Sequence, residues 1–136
     1  MRVVLDSNVI VAAFATRGMC SALFEYCVEN HDVVLCEHML DEIERALVRK
    51  VGVPRSVVRE VLEYLRDQAE TVSPAAVDSR VCRDESDLPV LGAAVGAGCE
   101  YIITGDADLL AVGGYRGVQI VSPRAYWEKM KREKHK

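Results

Sequence analysis

The chain has 136 residues, half of them hydrophobic, with 17 Lys and Arg against 21 Asp and Glu and a formal charge of -4. That is enough for one domain with a real core and too little for two ordinary domains, and the composition is that of a water-soluble globular protein. The apolar stretch Ser7–Thr16 falls well short of the roughly 18 to 20 residues that a bilayer span requires, and Arg2 with Asp6 interrupts any secretory leader, so a cytoplasmic protein without a membrane segment is expected.

Val3 to Leu5 reads as a first strand, ending in Asp6 and the polar pair Ser7-Asn8. Ser21 to Val28 reads as helix, with Leu23, Phe24, Cys27 and Val28 on one face, and Val33 to Cys36 as a second strand after the turn Asn30-His31-Asp32. His38 to Lys50 carries an apolar stripe of Leu40, Ile43, Leu47 and Val51. Pro54 opens another helix, with Val57, Val58, Val61, Leu62 and Leu65 inward and an end near Ala69. Thr71 to Arg83 is a connection with one short strand around Val72. Leu88 to Ala97 is helical with Gly98 as its stop. Tyr101 to Thr104 and Val118 to Val121 are two more strands, separated by an acidic turn, Leu109, Leu110 and a bend at Gly113-Gly114. Ser122-Pro123 caps a last helix that carries Tyr126 and Trp127.

Strands alternating with helices specify an α/β protein, a three-layer α/β/α sandwich around a central, mainly parallel sheet. In such sheets ligands gather beyond the carboxyl ends of the strands, and two strands here run straight into acids, Asp6 after the first and Asp106 and Asp108 after Thr104-Gly105. Glu42, in the helix after strand two, and Asp87, at the start of the helix before Asp106's strand, can reach the same edge. Carboxylates held together raise one another's pKa, and a divalent cation removes that conflict. Oxygen-only ligands suit Mg²⁺ or Mn²⁺, which activate water and offset charge on a phosphodiester under attack.

Each acid also has a plainer reading. Asp6 is suited to cap a helix, Glu42 to a solvated helix face beside Asp41 and Glu44, and Asp87, with Asp84 and Glu85, to the first turn of a helix. The five cysteines, Cys20, Cys27, Cys36, Cys82 and Cys99, have no paired spacing and are expected in the core. The histidines, His31, His38 and His135, show no ligand spacing.

Four segments together, Val-Val-Leu-Asp-Ser-Asn-Val at 3–9, Leu-Asp-Glu-Ile at 40–43, Cys-Arg-Asp-Glu-Ser-Asp-Leu-Pro-Val-Leu at 82–91 and Tyr-Ile-Ile-Thr-Gly-Asp-Ala-Asp-Leu-Leu at 101–110, resemble the PIN domain family, in particular its toxin branch. The resemblance implies a PIN-like nuclease domain over residues 1–128 with a basic carboxyl-terminal tail at 129–136. It implies that Asp6, Glu42, Asp87 and Asp106 are the catalytic, metal-binding acids, supported by Asn8 and Thr104, with Asp84 and Asp108 as competing neighbours. The implied activity is a Mg²⁺- or Mn²⁺-dependent endoribonuclease acting on RNA, with an antitoxin protein as partner and a homodimer as the family's habit. Ser7 stands where many relatives carry Thr and keeps the hydroxyl.

Because the chain is acidic overall, RNA must be held by local cations, for which Arg45, Arg49 and Lys50 after Glu42, Arg17 after the first helix, and Arg116 and Arg124 near later turns are the candidates. The tail from Lys129 to Lys136 is either a mobile arm touching RNA or a solvated terminus. Two rivals stand beside the nuclease. A non-catalytic PIN-like module binding RNA or protein would keep the fold without turnover. An aspartate-based phosphotransfer domain would want a lysine after a late strand, whereas no lysine occurs between Lys50 and Lys129.

Overall fold

The computed structural model describes residues 1–134, so His135 and Lys136, the end of the expected tail, lie outside the described residues. Six strands form one sheet in the order β3-β2-β1-β4-β6-β5, where β1 is Arg2–Leu5, β2 Asp32–Leu35, β3 Glu70–Thr71, β4 Tyr101–Ile103, β5 Gly114–Tyr115 and β6 Val118–Val121. All pairings are parallel except β5 with β6. The expected mainly parallel α/β sheet is therefore the observed one. Val3, Val4, Leu5, Val34, Leu35, Ile102 and Ile103 are wholly buried, which is why these strands read as unbroken apolar runs rather than alternating ones.

Seven helices connect and cover the strands: α1 Ser7–Ala15, α2 Met19–Asn30, α3 Glu37–Ala46, α4 Arg55–Gln68, α5 Leu88–Gly96, α6 Ala107–Val112 and α7 Pro123–Lys134. A π-helical turn, Leu47–Val51, prolongs α3, and a 3₁₀ turn, Glu85–Asp87, precedes α5. The chain steps outward from β1 to β2 and β3, then returns to the other side of β1 for β4 and β6. Right-handed crossovers on either side of that reversal put helices on opposite faces. The reversal lies between β1 and β4, where Val3 pairs with Tyr101 and Leu5 with Ile103, so the crevice of the fold opens directly above Asp6 and Thr104.

Several elements differ from expectation for local reasons. The helix expected to run straight from His38 to Lys50 stays α-helical only to Ala46. Its π-helical end is stopped by Gly52 in the left-handed region, φ 79°, with the amides of Gly52 and Val53 both donating to the Leu47 carbonyl. Val57, expected inward, is exposed, and Val58 and Leu65 supply the buried face of α4. The strand expected near Val72 lies two residues earlier. The bend at Gly113-Gly114 opens a hairpin whose turn is Arg116-Gly117, both at positive φ, the pattern that matches strand twist.

Between β3 and α5 the chain crosses α5 as a strap. The Ala75 amide donates to the Gly92 carbonyl at 3.0 Å, and a Cβ on Gly92 would meet the Ala75 carbonyl oxygen at 2.4 Å. Glycine is required there so that the strap can touch the helix backbone. The basic run expected as a tail begins inside α7, where Met130 is buried. Cys27, Cys36, Cys82 and Cys99 are buried, Cys20 is half-buried, and all five are free thiols. Among the described residues no single helix is long and apolar enough to cross a membrane.

Candidate metal centre

β1 delivers Asp6 to the crevice, and hydrogen bonds fix both its carboxylate oxygens. Oδ1 accepts from the Ser7 amide at 2.8 Å, so Asp6 does cap α1. Oδ2 accepts from the Thr104 hydroxyl at 2.7 Å and the Asn8 amide group at 3.3 Å. Thr104 is fully buried and its Oγ1 accepts from the Asp106 amide at 2.9 Å, while Asn8 Oδ1 accepts from the Gly105 amide at 3.1 Å. Asn8 and Thr104 thus rivet the turn after β1 to the turn after β4. Asp106 caps α6 through Oδ1, which accepts from the amides of Asp108 and Leu109. For both aspartates, capping and membership of the site are the same geometry, because a cap at a strand-to-helix junction is what aims a carboxylate over the sheet edge.

The other two acids arrive from separate elements. Glu42, one turn into α3, accepts from the Ser7 hydroxyl at 3.2 Å, and Ser7 Oγ also approaches Asp6 Oδ1 at 3.4 Å. The 3₁₀ turn before α5 buries Asp87 to 7 % exposure, with the Cys82 thiol 3.8 Å from its Oδ2. Asp6, Glu42, Asp84, Asp87 and Asp106 line one open cleft of about 430 Å³. Asn8 borders it as well, and Thr104 lies beneath. All four expected acids therefore border the same cleft. Asp108 is not among the cleft-lining residues, but its carboxylate lies within 4.8 Å of those of Asp84 and Asp87, so the crowding continues to the cleft's edge.

Crowding has an electrostatic consequence. Burial, reinforced by the charges of Asp106, Asp6 and Asp84, pushes the Asp87 carboxyl up to about 7. Burial also raises Asp6, against the opposing hydrogen bonds from Thr104 and Ser7. Glu42 is raised by burial and by Asp6, with His38 opposing. Exposed Asp84 goes the other way, lowered because the Ser86 amide and hydroxyl donate to it. Buried carboxylates that repel one another are costly unless a cation joins them. The donors are hard oxygens throughout, so the residues fit a divalent ion of the Mg²⁺ or Mn²⁺ type.

The cations expected to meet nucleic acid are dispersed. Arg45 and Arg49 line a second depression, of about 290 Å³, that shares Glu42, Ala46 and Lys50 with the acidic cleft. Arg17 is exposed in the turn between α1 and α2 and does not border that cleft. Three contributors, Ser7, Cys82 and His38, were not among the expected metal ligands, and a fourth, Lys50, was expected only as a cation for RNA. Ser7 bridges two acids, Cys82 touches Asp87, and Lys50 lines the cleft itself. His38, which shows no ligand spacing in the sequence, sits 3.5 Å from Glu42 one helical turn away. An i, i+4 pairing of His38 with Glu42 was the only one of the four that spacing could have exposed.

A parallel, reversing sheet with carboxylates gathered at its switch point defines an α/β/α domain with an acidic cleft at the carboxyl edge. The PIN domain family profile matches residues 2–108, and the chain belongs to that family. No curated protein matches it. Among solved structures the fold is similar to that of VapBC2 from Rickettsia felis bound to a DNA fragment from their promoter, with a TM-score of 0.65. That match covers 90 % of this chain and 98 % of the other at 12 % identity, a level at which the likeness concerns the fold alone.

Proposed function

We propose that the protein is a Mg²⁺- or Mn²⁺-dependent endoribonuclease that hydrolyses RNA phosphodiester bonds, and the toxin of a toxin-antitoxin pair. The observation that carries this reading is the convergence of Asp6, Glu42, Asp87 and Asp106, from four separate segments, on one open cleft. Membership of the PIN family and the likeness to VapBC2 support the toxin branch, with an antitoxin protein as partner; a homodimer as the working form and the cytoplasm as location belong to the same proposal.

In this mechanism Asp6, Asp87 and Asp106 would hold the ion directly or through water, and Glu42 would hold it or orient the attacking water. When bound, the ion would offset the carboxylate charges and supply Lewis acidity toward the phosphodiester. The protein's own contribution is positional. Thr104 and Asn8 keep Asp6 from rotating, and Ser7 and His38 flank Glu42. Asp84 and Asp108 act from the edge of the site on its charge, and Arg45, Arg49 and Arg17 supply cations for the RNA backbone. Hydrolysis of this kind needs no covalent intermediate.

The test is incubation of the purified protein with a mixed RNA pool in Mn²⁺ or in EDTA. Cleavage is expected in Mn²⁺ only, and Asp6→Asn is expected to lower it by about 10²–10³-fold. Undiminished metal-dependent cleavage by Asp6→Asn would overturn the mechanism. Wild-type protein that binds RNA without cutting it would favour the non-catalytic module.

A further inference from the structure

The π-helical turn at Leu47–Val51 has a consequence for the acidic cleft. In an uninterrupted α-helix each residue advances about 100°, so Arg49 would fall about 20° from the line of Glu42 and Lys50 about 80° away. Hydrogen bonding to the fifth residue widens the turn and reduces the rotation per residue. From Ala46 onward this carries Arg49 off the Glu42 line and brings Lys50 onto it. The cleft follows that rotation, since Ala46 and Lys50 line it together with Asp6, Glu42, Asp87 and Asp106, whereas Arg49 lines only the neighbouring depression. Lys50 is exposed and, among the described residues, engaged in no ion pair.

We propose that Lys50 is a phosphate-contacting residue of this cleft, its ammonium taking a non-bridging oxygen of the phosphodiester that enters beside the acids. The proposal rests on the nuclease reading and deepens it. A cleft lined by five carboxylates repels a polyanion even after one divalent charge is added. A lone cation on its wall is therefore the group that makes entry of a phosphate favourable. Lysine suits this position because its compact ammonium on a flexible stem binds phosphate as a point charge. Lys50 also borders the depression that holds Arg45 and Arg49, so one strand of nucleic acid can pass from the arginines to the acids without leaving positive charge.

Binding of a fluorescein-labelled single-stranded RNA, followed by anisotropy over a range of KCl concentrations with Ca²⁺ in place of Mg²⁺, tests this without depending on turnover. Lys50→Met is expected to weaken binding about tenfold, the worth of a charge-assisted contact. It is also expected to reduce the slope of log K against log salt by about 0.7, one single-strand phosphate contact. Lys50→Arg is expected to restore both, and Mn²⁺ binding by Lys50→Met in the absence of RNA is expected to be no weaker than wild type. Unchanged affinity and slope in Lys50→Met, or wild-type protein that binds no RNA at all, would overturn the proposal. Lys50-dependent binding with no cleavage in Mn²⁺ would instead overturn the nuclease reading and leave the phosphate contact standing.

Discussion

The two ends of the sheet bury polar side chains in opposite ways. At the amino end, Tyr126 and His31 pair hydroxyl to ring nitrogen at 2.7 Å, Lys129 donates to the Tyr101 hydroxyl, and the Tyr101 and Tyr126 rings meet edge-on at 5.3 Å. The Tyr126 and Tyr101 hydroxyls and the Lys129 ammonium there meet polar partners and aromatic faces, so the cluster clamps α7 to the sheet. At the carboxyl end, Asp6 and Asp87 are buried among other acids, and burial raises the pKa of both, with Asp106 adding to the rise in each and only Thr104 and Ser7 opposing it at Asp6. An arrangement that opposes its own charge marks a candidate ligand site rather than a stabilising cluster. The contrast separates a structural polar cluster from a candidate functional one without reference to any relative.

The contrast can be broken most strongly at Thr104. Thr104→Val keeps the shape but removes the donor to Asp6 Oδ2 and the acceptor for the Asp106 amide. Mn²⁺ affinity, read by titration calorimetry, should fall about 10–100-fold, as for other outer supports of metal ligands. At the opposite end, Tyr126→Phe removes only the bond to His31. Thermal unfolding should show a loss of about 0.5–1.5 kcal/mol, while Mn²⁺ affinity stays at the wild-type value. Equal losses of metal affinity in both variants would erase the distinction drawn between the two ends.

A smaller effect lies in the pH dependence. Between the ordinary carboxylate range near 4 and about 7, metal-free folded protein holds more proton on Asp87 than the unfolded chain does. Stability in EDTA should therefore fall as pH rises through that window, since the unfolded state binds fewer protons there. Asp87→Asn should flatten the fall, and saturating Mn²⁺ should reverse it at neutral pH by binding the folded state alone. A metal-free protein that gains stability from pH 5 to 7 would show that the acids are compensated by groups outside the cleft.

Much of the site was legible because its parts lie at strand-to-helix junctions. The apolar runs ending at Asp6 and Thr104 are short, buried on both faces and followed at once by acids, so the sheet edge could be located from periodicity alone. Glu42 and Asp87 were harder. Each sits in a segment with several acids, and only the burial of Asp87 and the bond from Ser7 to Glu42 single them out. The π-helical turn was hidden by the apolar stripe, which Val51 continues at helical spacing; in the structure Leu47 stays buried and Val51 is exposed. The hairpin at β5 and β6 was obscured by its brevity, two residues on its first strand.

The sequence by itself determined the α/β fold, its mainly parallel sheet and the identity of the acids at the strand ends. Those properties follow from local hydrophobic period, turn chemistry and residue type, which act within a few positions of one another. Only the tertiary structure decided which acids share a cleft, that Lys50 rather than Arg49 stands on its wall, and that His38 neighbours Glu42. These depend on strand order, on the rotation of one helical turn and on burial, quantities set by how distant segments pack and therefore absent from any local stretch of chain.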